Sequence, residues 1–500
     1  MAETKGKLLR TTVILCILFP LAVKAQNTID ENHVVVLNQE YDIILKWRIA
    51  GDDIFFEMSA KTYGYVAIGF SPNGGMPGSD IVAGWVKNDV TFLSAYHATK
   101  FAKPDIDLSN DYELLYGFEE GNKTTIGFSR KLQTCDTNDY TITSDTSRII
   151  WAVNDNDPPN SGDLLYHGTA RGVRSVILLD AATKLNELPN DANSFELLVS
   201  NVSVPNDDTT YWCTSFAVPK FEKPVHLFRF DTIIQKGHEA LVHHMVLVGC
   251  RGNVSSITGW SNICDRDKFM QCTEILYAWA IGAGTFEFPE HVGLLLGGEN
   301  DPNLFFIETH YDNPGHRPDF VDNSGFRIHY TPTLRQYDAD IWFLGEAFIG
   351  MGQMIPPNEP DFKTHGICFG DCTKVGIGED IKVFAAFLHG HLAARKINVQ
   401  HYRDGKLIHE IRDDHYDFNL QETRLLTKER IFKQGDEFVV TCSYNTMGRT
   451  NITFGGEGTT DEMCVAFLYY YPRQPKLYNC LSSPSETSFI NILGLHKDNM

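Results

Sequence analysis

Three places in the sequence put imidazoles where they could share a ligand. Residues 241–250, LVHHMVLVGC, set His243 beside His244 inside an apolar, β-branched run. Adjacent side chains on a regular strand point to opposite faces. The pair therefore implies either one satisfied core histidine or a backbone bent so that both rings reach one centre. Residues 384–394, FAAFLHGHLAA, space His389 and His391 by two on a strand-like run, which sends both to one face, with no side chain on Gly390 between them. His310 closes the apolar run of LFFIETHYDNP just before a turn. Burying an unpartnered polar group costs on the order of 2–7 kcal/mol, so each of these rings must find a hydrogen bond or a metal. The remaining histidines, among them His33, His97, His167 and His409, sit in polar surroundings and read as solvated.

The segment HEALVHH invites comparison with a zinc-protease helix, but that motif needs histidines four apart on one helical face. His238 and His243 are five apart, roughly 140° around a helix, and the run is β-like. Five candidate ligands remain: His243, His244 and His310 in one block, His389 and His391 in the next. A sixth, soft ligand is available among the ten methionines. Imidazole with thioether favours copper, especially Cu(I), over zinc or magnesium, and a redox-active copper in a secreted chain suggests oxygen chemistry.

The elements that must position these residues are strands. HVVVLN, IFFEMSA, YVAIGF, VHLFRF, LFFIETHY, EFVVTCSY and MCVAFLYYYP are short, β-branched and aromatic, separated by turn signals such as NDND, PNGG and DNSG. Long 3.6-residue periodicity is scarce, so the expected class is all-β, built of sandwiches. Five hundred residues exceed one hydrophobic core. The expected division is 1–25, a signal peptide; 35–157, a cysteine-poor unit; 158–200, a polar connector; 201–332 and 338–480, two cysteine-bearing units; and 481–500, a short tail.

Lys5, Lys7 and Arg10 precede VILCILFPLAV, and VKA precedes Gln26, the layout of a secretory signal. The apolar run is short for a membrane span, and no later segment is long and apolar enough. The expected location is secreted or in the lumen of the secretory pathway (endoplasmic reticulum or vesicle); an uncleaved signal would instead anchor the chain to the membrane. A net charge of −21 argues against nucleic-acid partners. Apart from Cys16 in the signal, ten cysteines remain, which in an oxidising compartment read first as disulfides. Cys368 and Cys372 have zinc-like spacing but no second pair to complete a site. Sequons at Asn122, Asn201, Asn253 and Asn451 fit the same compartment.

Five ordered motifs, HHMVLVGC, THYDNP…DNSGFRIHYTP, FLHGHLAARK, YNTMGRTNITFGG and TTDEMCVAFLYYYP, resemble the copper type II, ascorbate-dependent monooxygenases. That family includes dopamine β-hydroxylase and peptidylglycine α-hydroxylating monooxygenase. GYVAIGFSPNGGMPGSDIVAGWV resembles a DOMON domain. The resemblance implies an N-terminal DOMON β-sandwich followed by two jelly-roll-like, copper-binding catalytic sandwiches. It implies two coppers per chain, one on His243, His244 and His310 and supplying an electron, the other on His389, His391 and Met463 and hydroxylating. Ascorbate would be the reductant, O2 the co-substrate and a substrate C–H the position hydroxylated. Spacing does not single out Met463; the resemblance does. The implied disulfides are Cys213–Cys264, Cys250–Cys272, Cys368–Cys480 and Cys442–Cys464.

The departures from the family pattern also inform. Leu388 stands where the peptide enzyme has an arginine that grips a carboxylate, and Phe467 replaces a tyrosine, so a small phenylethylamine- or catecholamine-like substrate fits better than a peptide. Gly390 and Ala394 replace residues usually seen around the H-x-H, which would loosen the site slightly. Family members continue further, and Cys135 and Cys372 would pair there; here they pair with each other, stay free or bridge chains in a homo-oligomer. The alternative function is a secreted copper- or ligand-binding glycoprotein with impaired catalysis. Met76 is a haem-ligand type in a DOMON setting, but no histidine partner stands out, so a structural role is expected.

Overall fold

The computed structural model describes residues 33–109, 111–179, 185–239, 241–269, 271–281, 283–298, 301–313, 315–347, 350–477 and 479–483. The signal-peptide expectation lies outside the described residues, as does all of the tail after Ser483. Strands dominate: a short helix, Gly370–Gly376, and one 3-10 turn are the helical elements among the described residues. No helix there is long and apolar enough to cross a membrane.

The first sandwich faces a five-stranded sheet against a six-stranded one. Alternation drives this packing. In Val66–Ser71, Ile68 and Phe70 point into the inter-sheet core with Phe56 and Phe128, while Ala67 faces outward to a second small cluster. Residues 158–200 are not a free connector. Arg171–Val176 pairs with Ser147–Val153 in the first sandwich, and Asn193–Leu198 pairs with Gly325–Thr331 in the second. Polar composition hid both, because each is an outer strand that needs little apolar surface.

The second sandwich places the His-His strand, Val242–Cys250, between Leu304–Asp312 and Cys272–Ala280. The third contains a five-stranded sheet centred on Ile381–His389 and Val465–Tyr471, opposite a four-stranded sheet. Its central strands explain the unbroken apolar runs. Val465, Phe467, Tyr469 and Tyr471 enter a core shared with the second sandwich, and Ala466, Leu468 and Tyr470 enter the third sandwich's own core. A sheet covered on both faces shows no polar alternation. The second and third sandwiches are thus joined through one continuous apolar core.

Candidate metal centre between two sandwiches

A bulge solves the problem posed by adjacent histidines. Val242 lies opposite Tyr311 and His244 opposite His310, so two steps on one strand match a single step on the other, with His243 the extra residue. Such a bulge bends the strand and re-aims side chains. His310 is not at the strand end; it lies two residues inside Leu304–Asp312, directly across from His244. The Nδ1 atoms of His243 and His310 lie 3.3 and 3.2 Å from His244 Nδ1. Three nitrogens bound at 2.0–2.1 Å around one tetrahedral ion stand about 3.3 Å apart. Nδ1 is the common inward nitrogen of the three rings. Nε2 of His243 and of His310 is buried without a hydrogen-bond partner. The donor set and its spacing fit a first-row metal ion.

The second cluster is built differently. The strand ends at His389, and His391 lies in the turn beyond it rather than on the strand. The reason is Gly390, whose N–H donates to the Tyr416 hydroxyl at 3.0 Å and whose carbonyl accepts from it at 2.7 Å, in place of a neighbouring strand. His389 Nδ1 faces Gln421 Oε1 at 2.6 Å, and His391 Nδ1 faces the Asp461 carbonyl at 3.2 Å. Both rings donate outward from Nδ1, which leaves Nε2 as the nitrogen able to accept a metal. The Glu462 carboxylate accepts from the His391 N–H at 2.9 Å and from the Ala393 N–H, so the residue before Met463 is fastened to the histidine turn.

Burial sets the charge state of all five rings. It pushes His243 and His391 down to about 3 and His389 to about 4. His244 and His310 are pushed well below the usual imidazole range, by burial first and then by neighbouring imidazoles. Neutral imidazole is the form that binds a metal. The clusters also meet: the His244 and His389 rings are 5.6 Å apart, nearly perpendicular. Beside them lies a cavity of about 430 Å³ bordered by His244, His389 and Met463, with Trp279, Phe387 and Phe467 among its walls. Glu308 and Glu457 also border it, and no Lys or Arg does among the described residues. Leu388 packs instead into the third sandwich's core.

Cys213–Cys264, Cys250–Cys272, Cys368–Cys480 and Cys442–Cys464 are bridged, while Cys135 and Cys372 are free, exposed thiols that do not pair with each other. The asparagines of all four sequons are exposed. Sequence reading missed Tyr416, Phe418, Gln421 and Glu462. The first three fall in DDHYDFNLQE, a polar stretch with no periodicity to mark it. It also missed His167, which is not fully solvated: His167 and Met76 border one cavity of about 470 Å³ on the first sandwich.

Comparison with known proteins agrees with this architecture. Residues 39–154 match the DOMON domain, 195–318 the N-terminal domain and 337–493 the C-terminal domain of copper type II ascorbate-dependent monooxygenases. The chain is 38% identical to mouse DBH-like monooxygenase protein 1, over 93% of this chain and 76% of that protein. It is 34% identical to the human putative DBH-like monooxygenase protein 2, over 93% and 92%. To dog dopamine beta-hydroxylase it is 33% identical, over 90% and 73%. The chain belongs to the copper type II ascorbate-dependent monooxygenase family.

Proposed function

We propose that this protein hydroxylates a C–H of a small phenylethylamine- or catecholamine-like amine in the secretory pathway, using O2 and ascorbate. Two coppers per chain serve the reaction. His243, His244 and His310 hold the electron-supplying ion, and His389, His391 and Met463 hold the hydroxylating one. When bound, copper supplies one-electron redox chemistry and activation of O2. The rest is the work of the chain. Outward hydrogen bonds from His389 and His391 fix which nitrogen faces the metal. Apolar walls exclude water, and Phe387 and Phe467 offer faces against which an aromatic substrate packs.

One observation carries this reading. The cavity that borders His389 and Met463 is walled by Trp279, Phe387 and Phe467, aromatic faces against which the ring of a small aromatic substrate packs. Leu388 packs into the third sandwich's core, on the face away from this cavity, so its identity does not select the substrate. The test is copper stoichiometry combined with ascorbate-dependent O2 uptake on the purified glycoprotein. Two coppers and uptake stimulated by tyramine or dopamine are expected. Absence of turnover across a broad amine panel in fully copper-loaded protein overturns the proposal. Met463→Ile should abolish hydroxylation and leave the all-histidine copper bound.

A further inference from the structure

Residues 413–421 touch both histidine clusters. Tyr416 brackets Gly390 with its hydroxyl, and Gln421 receives the hydrogen bond from His389. Between them, Phe418 lies flat on His243 of the other cluster, ring centroids 4.0 Å apart and 17° from parallel. The Gln421 amide donates back to the Phe418 carbonyl at 2.9 Å, which ties the two contacts into one rigid turn. This stretch leaves the strand Lys406–Asp413 and has no sheet of its own before Arg424–Phe432 begins. Something else must hold it.

The first sandwich does, through the DOMON domain at 39–154 and the strand Arg171–Val176 added to its sheet. Arg148 donates to the Tyr416 carbonyl at 2.8 Å and pairs with Asp417 at 3.3 Å, and Ser175 donates to the same Asp417 at 2.5 Å. Thr146 donates to Asp413 through its hydroxyl at 2.6 Å and its N–H at 3.2 Å. Arg424 completes that buried carboxylate's shell at 2.8 Å. The Asp414 N–H donates to Asp145 at 3.2 Å. Every one of these anchors falls within five residues of a contact to a histidine or to Gly390. Asp413 is fully buried, so these bonds are not surface decoration.

We propose that residues 413–421 form a strap through which the first sandwich positions both histidine clusters at once, with Thr146, Arg148 and Ser175 as remote positioning residues. The proposal rests on the reading that the clusters hold copper. It gives the DOMON domain a task that needs no ligand of its own: fixing the Gln421 amide against His389 and the Phe418 ring against His243. Partners that orient metal-binding histidines typically change metal affinity by about 10–100-fold when lost. Arg148 should act on both sites while touching neither.

The test uses the full chain. Amide exchange of residues 413–421 is followed in copper-free protein, and copper affinity at each site is measured by competition with a chelator, the sites being distinguished by their copper spectra. Arg148→Ala should speed exchange across the strap and weaken both sites by about tenfold. Phe418→Ala should weaken the all-histidine site alone, and Gln421→Ala the other alone. Adding Arg148→Ala to the Phe418→Ala/Gln421→Ala protein should then cost little more. Thr146→Val should imitate Arg148→Ala, with Thr146→Ser restoring most of the loss. Unchanged strap exchange in Arg148→Ala overturns the proposal whatever the copper result. So does an Arg148→Ala effect that persists undiminished without Phe418 and Gln421. A wild-type chain that binds no copper sinks the proposed function instead, and the exchange measurement separates the two failures.

Discussion

Two disulfides in the catalytic region make a matched pair. Cys250–Cys272 and Cys442–Cys464 each close a loop of 22 residues. In the chain-entropy account each should therefore stabilise equally, by about 3.4 kcal/mol at 25 °C. Their places differ. Cys464 directly follows Met463 and is fully buried, so its bridge ties the Met-bearing segment to the strand Glu437–Tyr444. Cys250 ends the His-His strand, six residues and about 20 Å beyond His244. Cys442→Ala/Cys464→Ala and Cys250→Ala/Cys272→Ala should thus lose similar stability in denaturant titrations of copper-free protein. Only the first should weaken the copper assigned to His389, His391 and Met463, by about 10–100-fold. If both variants weaken that copper alike, or if the first loses stability while its copper affinity is unchanged, the bridge does not hold Met463 and the reasoning fails.

Two further perturbations probe buried charge. Burial raises the Glu346 carboxyl to about 7, while Gln353 and Thr364 donate to it. A raised carboxyl stabilises below its unfolded value, near 4.3, and that contribution is lost as pH rises through 7. Between pH 5 and 8 the wild type should lose about 2 kcal/mol relative to Glu346→Gln, read from paired denaturation curves; parallel curves would refute the assignment. In the DOMON domain Arg130 pairs with Asp80 at 2.6 Å, both side chains almost wholly inaccessible. Arg130→Ala leaves Asp80 buried and uncompensated and should cost about 3–5 kcal/mol. The drop should appear in the DOMON domain's own unfolding transition, and a loss under 1 kcal/mol would contradict it.

What the sequence discloses and what it hides follow from physical scale. Strand runs and the all-β class are local properties: unbroken apolarity in YVAIGF and in VAFLYYY records strands covered on both faces. The histidines announce themselves because burying imidazole in such runs is costly. The bulge at His243 leaves no local mark, since it is defined only by register against Leu304–Asp312. Met463 is one methionine among ten until the resemblance selects it. Tyr416, Phe418 and Gln421 are harder still. Their neighbours in DDHYDFNLQE look solvated, and docking against a domain some 270 residues earlier in the chain, which no local pattern records, helps to shape the stretch.

Burial of the histidines does two opposed things. It removes the proton that would compete with a metal, so the rings are ready as ligands well below neutral pH. It also strips the rings' outward nitrogens of water, and His243 Nε2 and His310 Nε2 show the consequence as polar atoms without partners. The cluster is affordable only because the surrounding core is large and continuous across two sandwiches. His244 and His389 come from different sandwiches and are in ring contact, so separating the sandwiches would hydrate both clusters together. Metal binding, which favours the dry arrangement, and docking of the sandwiches, which creates it, must then reinforce each other. A site divided between two domains is in this sense held by the interface as much as by its ligands. The strap of residues 413–421, anchored in a third domain, spans that interface at the point where the two clusters meet.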